Sequence, residues 1–141
     1  MLIRLLYASR ISASAGADAI DSIMHQSRRH NPELGITGIL CHGGDVFMQV
    51  LEGGRAPVNR LYNRIVRDAR HDDVTLLHFE EIAERGFAGW TMGQVNLSKI
   101  NASTVLKYSE RPLLDPFAVS GRASLALLQE LIATASIVGR A

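Results

Sequence analysis

The sequence lacks several features that mark whole classes of protein. It has one cysteine, Cys41, so no disulfide can form within the chain, as is usual in a reducing compartment. Its 15 Lys and Arg residues are balanced by 14 Asp and Glu residues, whereas nucleic-acid-binding proteins carry a basic face or stripe. Apolar runs stay below the roughly 18 residues of a membrane-spanning helix, and no signal-peptide cleavage site follows the apolar start. We therefore predict a cytoplasmic protein with neither a nucleic-acid nor a membrane partner.

The residues that are present suit one folded domain. Of 141 residues, 47% are hydrophobic and 21% are charged, which excludes a disordered chain. This length is enough to bury a core of ordinary size. The five histidines include no pair spaced as metal ligands beside carboxylates or thiolates, so we expect no metal site.

Hydrophobic patterns predict the element order β-α-β-β-α-β-β. The alternating run 2–9 predicts a first strand. Apolar residues at helical spacing predict a helix over about 17–30, which Asn31-Pro32 should end because the residue before proline disfavours the helical conformation. Two strand-like runs follow, GITGILCH and DVFMQVLEG, joined by a turn at 43–45.

The second helix has the clearest pattern in the chain. It begins near Pro57, and its apolar face comprises Val58, Leu61, Tyr62, Ile65, Val66 and Ala69. Asp72-Asp73 should end this helix before an extended run over 74–82. The short segment FAGWTMG predicts the last strand.

This order is typical of the α+β ferredoxin-like sandwich, βαββαβ, here with an extra strand. Both helices of that fold cover one face of the sheet, and a bare apolar face on the other side would be a liability. The end of the chain is rich in apolar residues, with Leu113-Leu114 and the run SLALLQELIATASIV. We predict a domain over residues 1–97 and C-terminal helices over 98–141 that cover the other sheet face, or alternatively a partner's surface.

Polar side chains are predicted to meet in a groove between the two helices. Helical spacing places two sets of residues along its sides: Ile23, Ser27, His30 and Asn31 on one, and Arg64, Ile65, Asp68 and His71 on the other. Beneath them, Phe47, Gln49 and Leu51 share one strand face, with Tyr7 on another strand. Burying an unpaired glutamine costs about 1–3 kcal/mol. The groove therefore suits a flat ligand with polar edges.

Several motifs, taken in order, resemble those of the BLUF family of blue-light receptors, which bind FAD. The motifs are Tyr7 in the first strand, HNPELGITGIL after the first helix, FMQVLEG in the third strand, RDARH closing the second helix and FAGWTM in the last strand. They cover roughly residues 1–95. The remainder resembles the short members of the family, which carry no enzymatic effector domain. The resemblance implies a light sensor rather than an enzyme, with oxidised FAD bound non-covalently and a separate signalling protein as partner.

The resemblance also implies roles for individual residues. In the family, the tyrosine matching Tyr7 donates an electron and then a proton after light excites the flavin. The glutamine matching Gln49 bridges the tyrosine hydroxyl and the flavin edge, and it changes its hydrogen bonds. Trp90 and Met92 belong to the strand that relays the change. The remaining residues implied to contact the cofactor are Ile23, Ser27, His30, Asn31, Phe47, Arg64, Ile65, Asp68, Arg70, His71 and Met92. Many members have a second asparagine where this chain has His30.

Two other hypotheses stay open from the residues alone. A ferredoxin-like hydrolase of the acylphosphatase type would hold a phosphate in the loop SRISASAG, with Arg10 as its ligand. A dimerisation module without a ligand would leave the polar groove unexplained, and the apolar last helix could form a symmetric homodimer. Taken singly, the site residues also have structural explanations, such as a surface ion pair between Arg64 and Asp68. The colour of the purified protein distinguishes these hypotheses, since only the flavin-bound sensor should be yellow.

Overall fold

Five strands and four α-helices follow the predicted order in the computed structural model, which describes residues 1–16 and 18–134. The strands are β1 (Leu2–Ile11), β2 (Thr37–Gly43), β3 (Val46–Gly54), β4 (His71–Ile82) and β5 (Gly93–Asn96). The helices are α1 (Ala19–Leu34), α2 (Arg55–Arg67), α3 (Ala102–Leu106) and α4 (Gly121–Ala133). Short 3-10 turns lie at Ala13–Ala15 and Leu97–Lys99. The helix predicted from residue 17 starts at Ala19 among the described residues.

The sheet has the strand order β4-β1-β3-β2-β5. Neighbouring strands are antiparallel except for β5, which pairs parallel with β2. The first four strands and their two helices form the predicted ferredoxin-like arrangement, and β5 is the extra strand. β1 and β3, the central strands, are neighbours inside the sheet, and their side chains are buried on both faces because helices pack on each side. Their register places Tyr7 directly opposite Gln49.

Alternation along the central strands divides the apolar core into two layers. Leu5 and Tyr7 face the layer beneath α1 and α2. Leu6 and Met48 face the opposite layer, where α4 packs with buried Leu125, Leu127, Leu128 and Leu131. The prediction that C-terminal helices cover the other sheet face is therefore confirmed for α4. Residues 135–141, which include the end of the predicted apolar run, lie outside the described residues, and the boundary at 97/98 stays a prediction.

Shortening a buried side chain of α4 tests whether this core layer belongs to the same folding unit as the sheet. Leu127 is 0% exposed, so Leu127→Ala is expected to lower the free energy of unfolding by about 2–5 kcal/mol through lost burial and a cavity. Leu113, which is 77% exposed, provides the matched control, since Leu113→Ala should change stability by less than about 0.5 kcal/mol. Urea unfolding followed by circular dichroism measures both. A stable Leu127→Ala variant would mean that the sheet does not need this cover.

The prediction that Asn31-Pro32 ends α1 is wrong. The helix continues to Leu34, and Gly35 caps it in the left-handed conformation at φ 69°. The N–H of Gly35 donates to the carbonyl of Pro32 at 3.2 Å, and the N–H of Ile36 donates to that of Asn31 at 2.9 Å. This cap keeps Asn31 helical despite the preference of residues before proline. Asn31 therefore remains on the inner side of the helix, only 2% exposed.

Two boundaries in the second half of the chain also differ from the prediction. The helix α2 ends at Arg67, so Asp68 and Ala69 lie in the following turn and His71 opens β4. The segment FAGWTMG is not a strand, because β5 begins only at Gly93. Short apolar runs between glycines do not distinguish a strand from a turn. Here the N–H of Trp90 donates to the carbonyl of Phe87 at 3.2 Å and forms a turn.

Candidate functional site

A cavity of about 420 Å³ lies between α1, α2 and the sheet. Its walls include these predicted residues: Tyr7, Ile23, Ser27, His30, Asn31, Gln49, Arg64, Ile65, Asp68, Arg70 and His71. Phe47 is buried beneath them in the adjoining core layer, as is Met92. Sequence reasoning missed Gln26, Glu33, Leu34 and Leu61, which also line the cavity. The last turn of α1 supplies Glu33 and Leu34 because the helix is longer than predicted.

Tyr7, Gln49 and Met92 form a connected set at the cavity floor. The hydroxyl of Tyr7 donates to Oε1 of Gln49 at 2.5 Å, and Nε2 of Gln49 donates to Sδ of Met92 at 3.3 Å. All three side chains are buried, at 0%, 2% and 0% exposure. The Gln49 amide thus uses one acceptor end and one donor end in opposite directions. Trp90, predicted beside Met92, is buried at 7% exposure.

Burial keeps the Tyr7 hydroxyl protonated. It raises the pKa of Tyr7 well above its usual range, and the neighbouring Tyr62 and Asp68 raise it further. The ring packs 6.2 Å from the Phe47 ring and 5.7 Å from the Tyr62 ring, measured between centroids. Tyr7 therefore acts as a neutral hydrogen-bond donor at the cavity floor.

Asn31 presents an unmet hydrogen-bonding group to the cavity. Its Nδ2 atom is buried and has no hydrogen-bond partner among residues 1–16 and 18–134. A buried amide without a partner costs free energy, which a ligand with an acceptor atom at its edge would recover. Carbonyl oxygens around a flat ring would meet that requirement.

Arg70 crosses from the turn after α2 to α1. Its guanidinium donates to Ser22 Oγ at 3.1 Å, to Gln26 Oε1 at 2.7 Å and to Asp68 Oδ2 at 2.5 Å. The side-chain hydrogen bonding of Arg70 to the Asp68 carboxylate is the chief cause that lowers the pKa of Asp68. Helical spacing had suggested a pair between Asp68 and Arg64. Because α2 ends at Arg67, Asp68 pairs instead with Arg70.

His71 is held at the inner end of the same turn. Its Nδ1 lies 2.7 Å from Ser9 Oγ, and its ring meets the Phe47 ring edge-on at 4.8 Å. Burial lowers its pKa, which favours the neutral imidazole at neutral pH. His71 is therefore a neutral hydrogen-bonding residue next to the cavity floor.

The hydrolase hypothesis receives little support from Arg10. This residue lies in β1 rather than in a loop, with its guanidinium 3.7 Å from a carboxylate oxygen of Asp45 and 3.8 Å from one of Asp73. The same group stacks 4.5 Å from the ring centroid of Phe117. Two carboxylates beside Arg10 would repel a phosphate.

Neither a metal centre nor a membrane span emerges from the described residues. Those residues contain no group of three His, Cys, Asp or Glu side chains placed to hold a metal ion. None of the helices they form has the length and apolar character needed to cross a bilayer.

Comparison with known proteins identifies the family. Residues 2–93 match the family described as "BLUF: Sensors of blue-light using FAD". The chain belongs to the BLUF family. This BLUF chain is 37% identical over 92 residues to photoactivated adenylate cyclase subunit beta of Euglena gracilis. It is 32% identical over 87 residues to the blue light- and temperature-regulated antirepressor BluF of Escherichia coli strain K12. These matches cover 64% and 62% of this chain, but only 11% and 22% of those relatives.

Solved BLUF structures have the same fold over nearly the whole chain. The photo-activated state of BlsA is 29% identical, with a TM-score of 0.81, and the match covers 94% of this chain and 95% of that chain. The dark state of BlrB is 31% identical, with a TM-score of 0.79, and the match covers 95% and 96%. The predicted α+β fold is thus confirmed, and the structural match extends beyond the residues that the family model covers. Membership of a family that senses blue light also makes a flavin the expected ligand.

Proposed function

We propose that this chain binds oxidised FAD in the cavity and uses the Tyr7–Gln49 hydrogen bond as a light-operated switch that signals to a separate protein. The observation that carries the proposal is the buried Tyr7–Gln49–Met92 set beneath a cavity between two helices. The unpartnered Nδ2 of Asn31 in the cavity wall supports a ligand with acceptor atoms at its edge. Within this proposal the chain senses light and carries no enzymatic activity of its own.

The residues around the cavity fit a flavin by their chemistry. Asn31 would donate to one carbonyl edge of the ring, and Arg64 and Asp68 would contact the opposite edge. Ile23 and Ile65 would contact the ring faces. Ser27, His30, Arg70 and His71 line the rest of the cavity, where the outer part of the cofactor would bind.

A bound oxidised flavin would supply absorption of blue light and, once excited, an electron acceptor. The protein's part begins at Tyr7, whose neutral hydroxyl donates a hydrogen bond to Gln49 Oε1. A phenol couples the loss of an electron to the loss of this proton. Rotation or tautomerisation of the Gln49 amide exchanges its donor and acceptor ends. Once the electron and the proton have returned to Tyr7, the new hydrogen-bond pattern would persist as the signalling state without any covalent bond to the cofactor.

The visible absorption spectrum of the purified protein, before and after blue light, tests this function. We expect a flavin spectrum that shifts slightly to the red on illumination and returns in darkness without bleaching. Chromatography of the released cofactor distinguishes FAD from FMN and riboflavin. A colourless protein that also fails to bind added flavin would overturn the proposal.

Removal of the Asn31 amide tests how the cavity holds its ligand. Asn31→Ala is expected to weaken flavin binding by about tenfold or more, because the ring edge loses a buried hydrogen-bond donor. Asn63→Ala is the matched control, since Asn63 is exposed on α2 and lies outside this cavity. Titration of the apoprotein with FAD, followed by fluorescence quenching, measures both affinities. Equal affinities in wild type and Asn31→Ala would remove Asn31 from the binding site.

The partner is proposed to be a separate effector protein. The names of two relatives include an adenylate cyclase and an antirepressor, which supports output through a second protein or domain. The apolar face of α4 is already buried on the sheet of its own chain. It is therefore less suited to the homodimer contact considered from the sequence. Size-exclusion chromatography with light scattering, in darkness and under blue light, measures the oligomeric state directly.

A further inference from the structure

Glu52 is a buried carboxylate outside the cavity and outside the predicted site. Its side chain is 0% exposed and lies opposite Arg4 in the register of β1 and β3. Both Nε and Nη2 of Arg4 lie 2.7 Å from Oε2 of Glu52. Glu52 also accepts the backbone N–H of Gly86 at 3.1 Å and that of Phe87 at 2.7 Å. One carboxylate thus joins the two central strands to the backbone that follows β4.

Stability alone is a weak explanation for such a buried pair. Removing two charges from water costs free energy that their attraction repays only when further hydrogen bonds complete the arrangement, and an apolar replacement is often as stable. Here the further bonds come from the backbone of Gly86 and Phe87. Charge-assisted hydrogen bonds of this kind are short and directional. The arrangement is therefore well suited to fixing the position of that backbone.

The backbone that Glu52 holds leads directly to the residue that contacts Gln49. We refer to residues 86–92 as the 86–92 segment. Within it the carbonyl of Trp90 accepts the N–H of Gly38 at 3.0 Å, and Met92 Sδ accepts from Gln49 Nε2 at 3.3 Å. Glu52 and Gln49 both belong to β3. The segment is consequently attached to one central strand at each of its ends.

We propose that Glu52 is a positioning residue, which holds the 86–92 segment so that Met92 stays against Gln49 and thereby sets the rate of return from the light-adapted to the dark state. This inference rests on the proposed light switch at Tyr7 and Gln49. If the end of the segment at Gly86 and Phe87 is released from Glu52, Met92 can withdraw from Gln49. The Gln49 amide then meets less resistance when it reverts, so recovery in darkness becomes faster.

The test compares three Glu→Gln variants of the full chain loaded with FAD. Glu52→Gln removes the charge that holds Arg4, Gly86 and Phe87. Glu80→Gln removes the other carboxylate that contacts Arg4, at 2.8 Å, and leaves the contacts to the 86–92 segment intact. Glu81 lies next to Glu80 on β4, and Glu81→Gln breaks its exposed pair with Arg55 of α2. Recovery of the absorption spectrum in darkness is timed for each, together with the melting temperature and the size of the light-induced shift.

We expect recovery of Glu52→Gln to be faster by about tenfold, the order expected for loss of one charge-assisted hydrogen bond. Glu80→Gln and Glu81→Gln should recover at the wild-type rate. A Glu52→Gln rate within about twofold of wild type, a slower rate, or equal acceleration in Glu80→Gln would overturn the inference. If Glu52→Gln does not fold, Glu52→Asp decides the question, since it keeps the charge beside Arg4 but shortens the reach to Phe87. Absence of a photocycle in the wild-type protein is distinguishable, because it overturns the proposed function itself.

Discussion

Tyr7→Phe is expected to keep flavin bound and to abolish the reversible light response. The substitution preserves the ring, which packs against Phe47 and Tyr62, so the cavity floor keeps its shape. It removes the hydroxyl that donates to Gln49 Oε1 at 2.5 Å. Without that group the site has no phenol to lose an electron and a proton, and Gln49 has no hydroxyl to exchange hydrogen bonds with. The measurement is the difference spectrum before and after blue light.

Tyr62→Phe is the matched control for this prediction. The two tyrosine rings lie 5.7 Å apart, and both variants lose one hydroxyl group. Tyr62 is only half-buried, and the proposed switch does not use it, so its variant should show a wild-type light response. A normal photocycle in Tyr7→Phe would refute Tyr7 as the donor. Loss of the response in Tyr62→Phe alone would assign that role to Tyr62.

Gln49→Leu is expected to bind flavin with no shift between the dark and illuminated spectra. Leucine has a similar length and suits a site flanked along β3 by Phe47 and Leu51, so the fold should tolerate it. It has neither a donor nor an acceptor, and the Tyr7 hydroxyl then loses its buried partner. That loss costs about 1–3 kcal/mol of stability. The light-induced shift should fall to zero because no amide remains to reverse its hydrogen bonds.

Gln94→Leu controls for the loss of a sheet glutamine as such. Gln94 lies on β5, where its amide nitrogen is 3.1 Å from Nε2 of His42 and away from the cavity. We expect its light-induced shift to match that of wild type. Retention of the shift in Gln49→Leu would show that another group carries the switch. Thermal unfolding of both variants separates a photochemical effect from a loss of structure.

The inward faces of the central strands were predictable from the sequence. Side chains of a strand alternate with a period of two, so Tyr7 and Gln49 fall on the faces that the helices must cover. Their direct pairing was not predictable from local patterns. The two residues are 42 positions apart, and the register of strands this distant depends on the packing of the whole sheet.

Local rules failed where residues farther along the chain decided where a helix ends. The rule for residues before proline predicted the end of α1 too early, since the cap at Gly35 stabilises a longer helix. This longer helix brings Glu33 and Leu34 to the cavity wall. Helical spacing likewise suggested a pair between Arg64 and Asp68, although the helix has ended before Asp68.

Glu52 shows the same limit for a charged residue. Its position in DVFMQVLEG puts it on the face with Met48 and Val50, and Arg4 lies on the matching face of β1. The coincidence of an acid and a base on one strand face was the available signal. Nothing in the local sequence indicates that Gly86 and Phe87 would meet the carboxylate, because that contact joins positions 34 and 35 residues apart.

The sequence by itself determined the order of elements, the two-layer core and the family, because these depend on periodic patterns and motifs within short stretches of chain. Only the tertiary structure decided which polar groups meet: Tyr7 with Gln49, Gln49 with Met92, Arg70 with α1, and Glu52 with the 86–92 segment. Such contacts join polar groups whose burial and partners depend on the packing of remote segments, and a local pattern does not specify that packing.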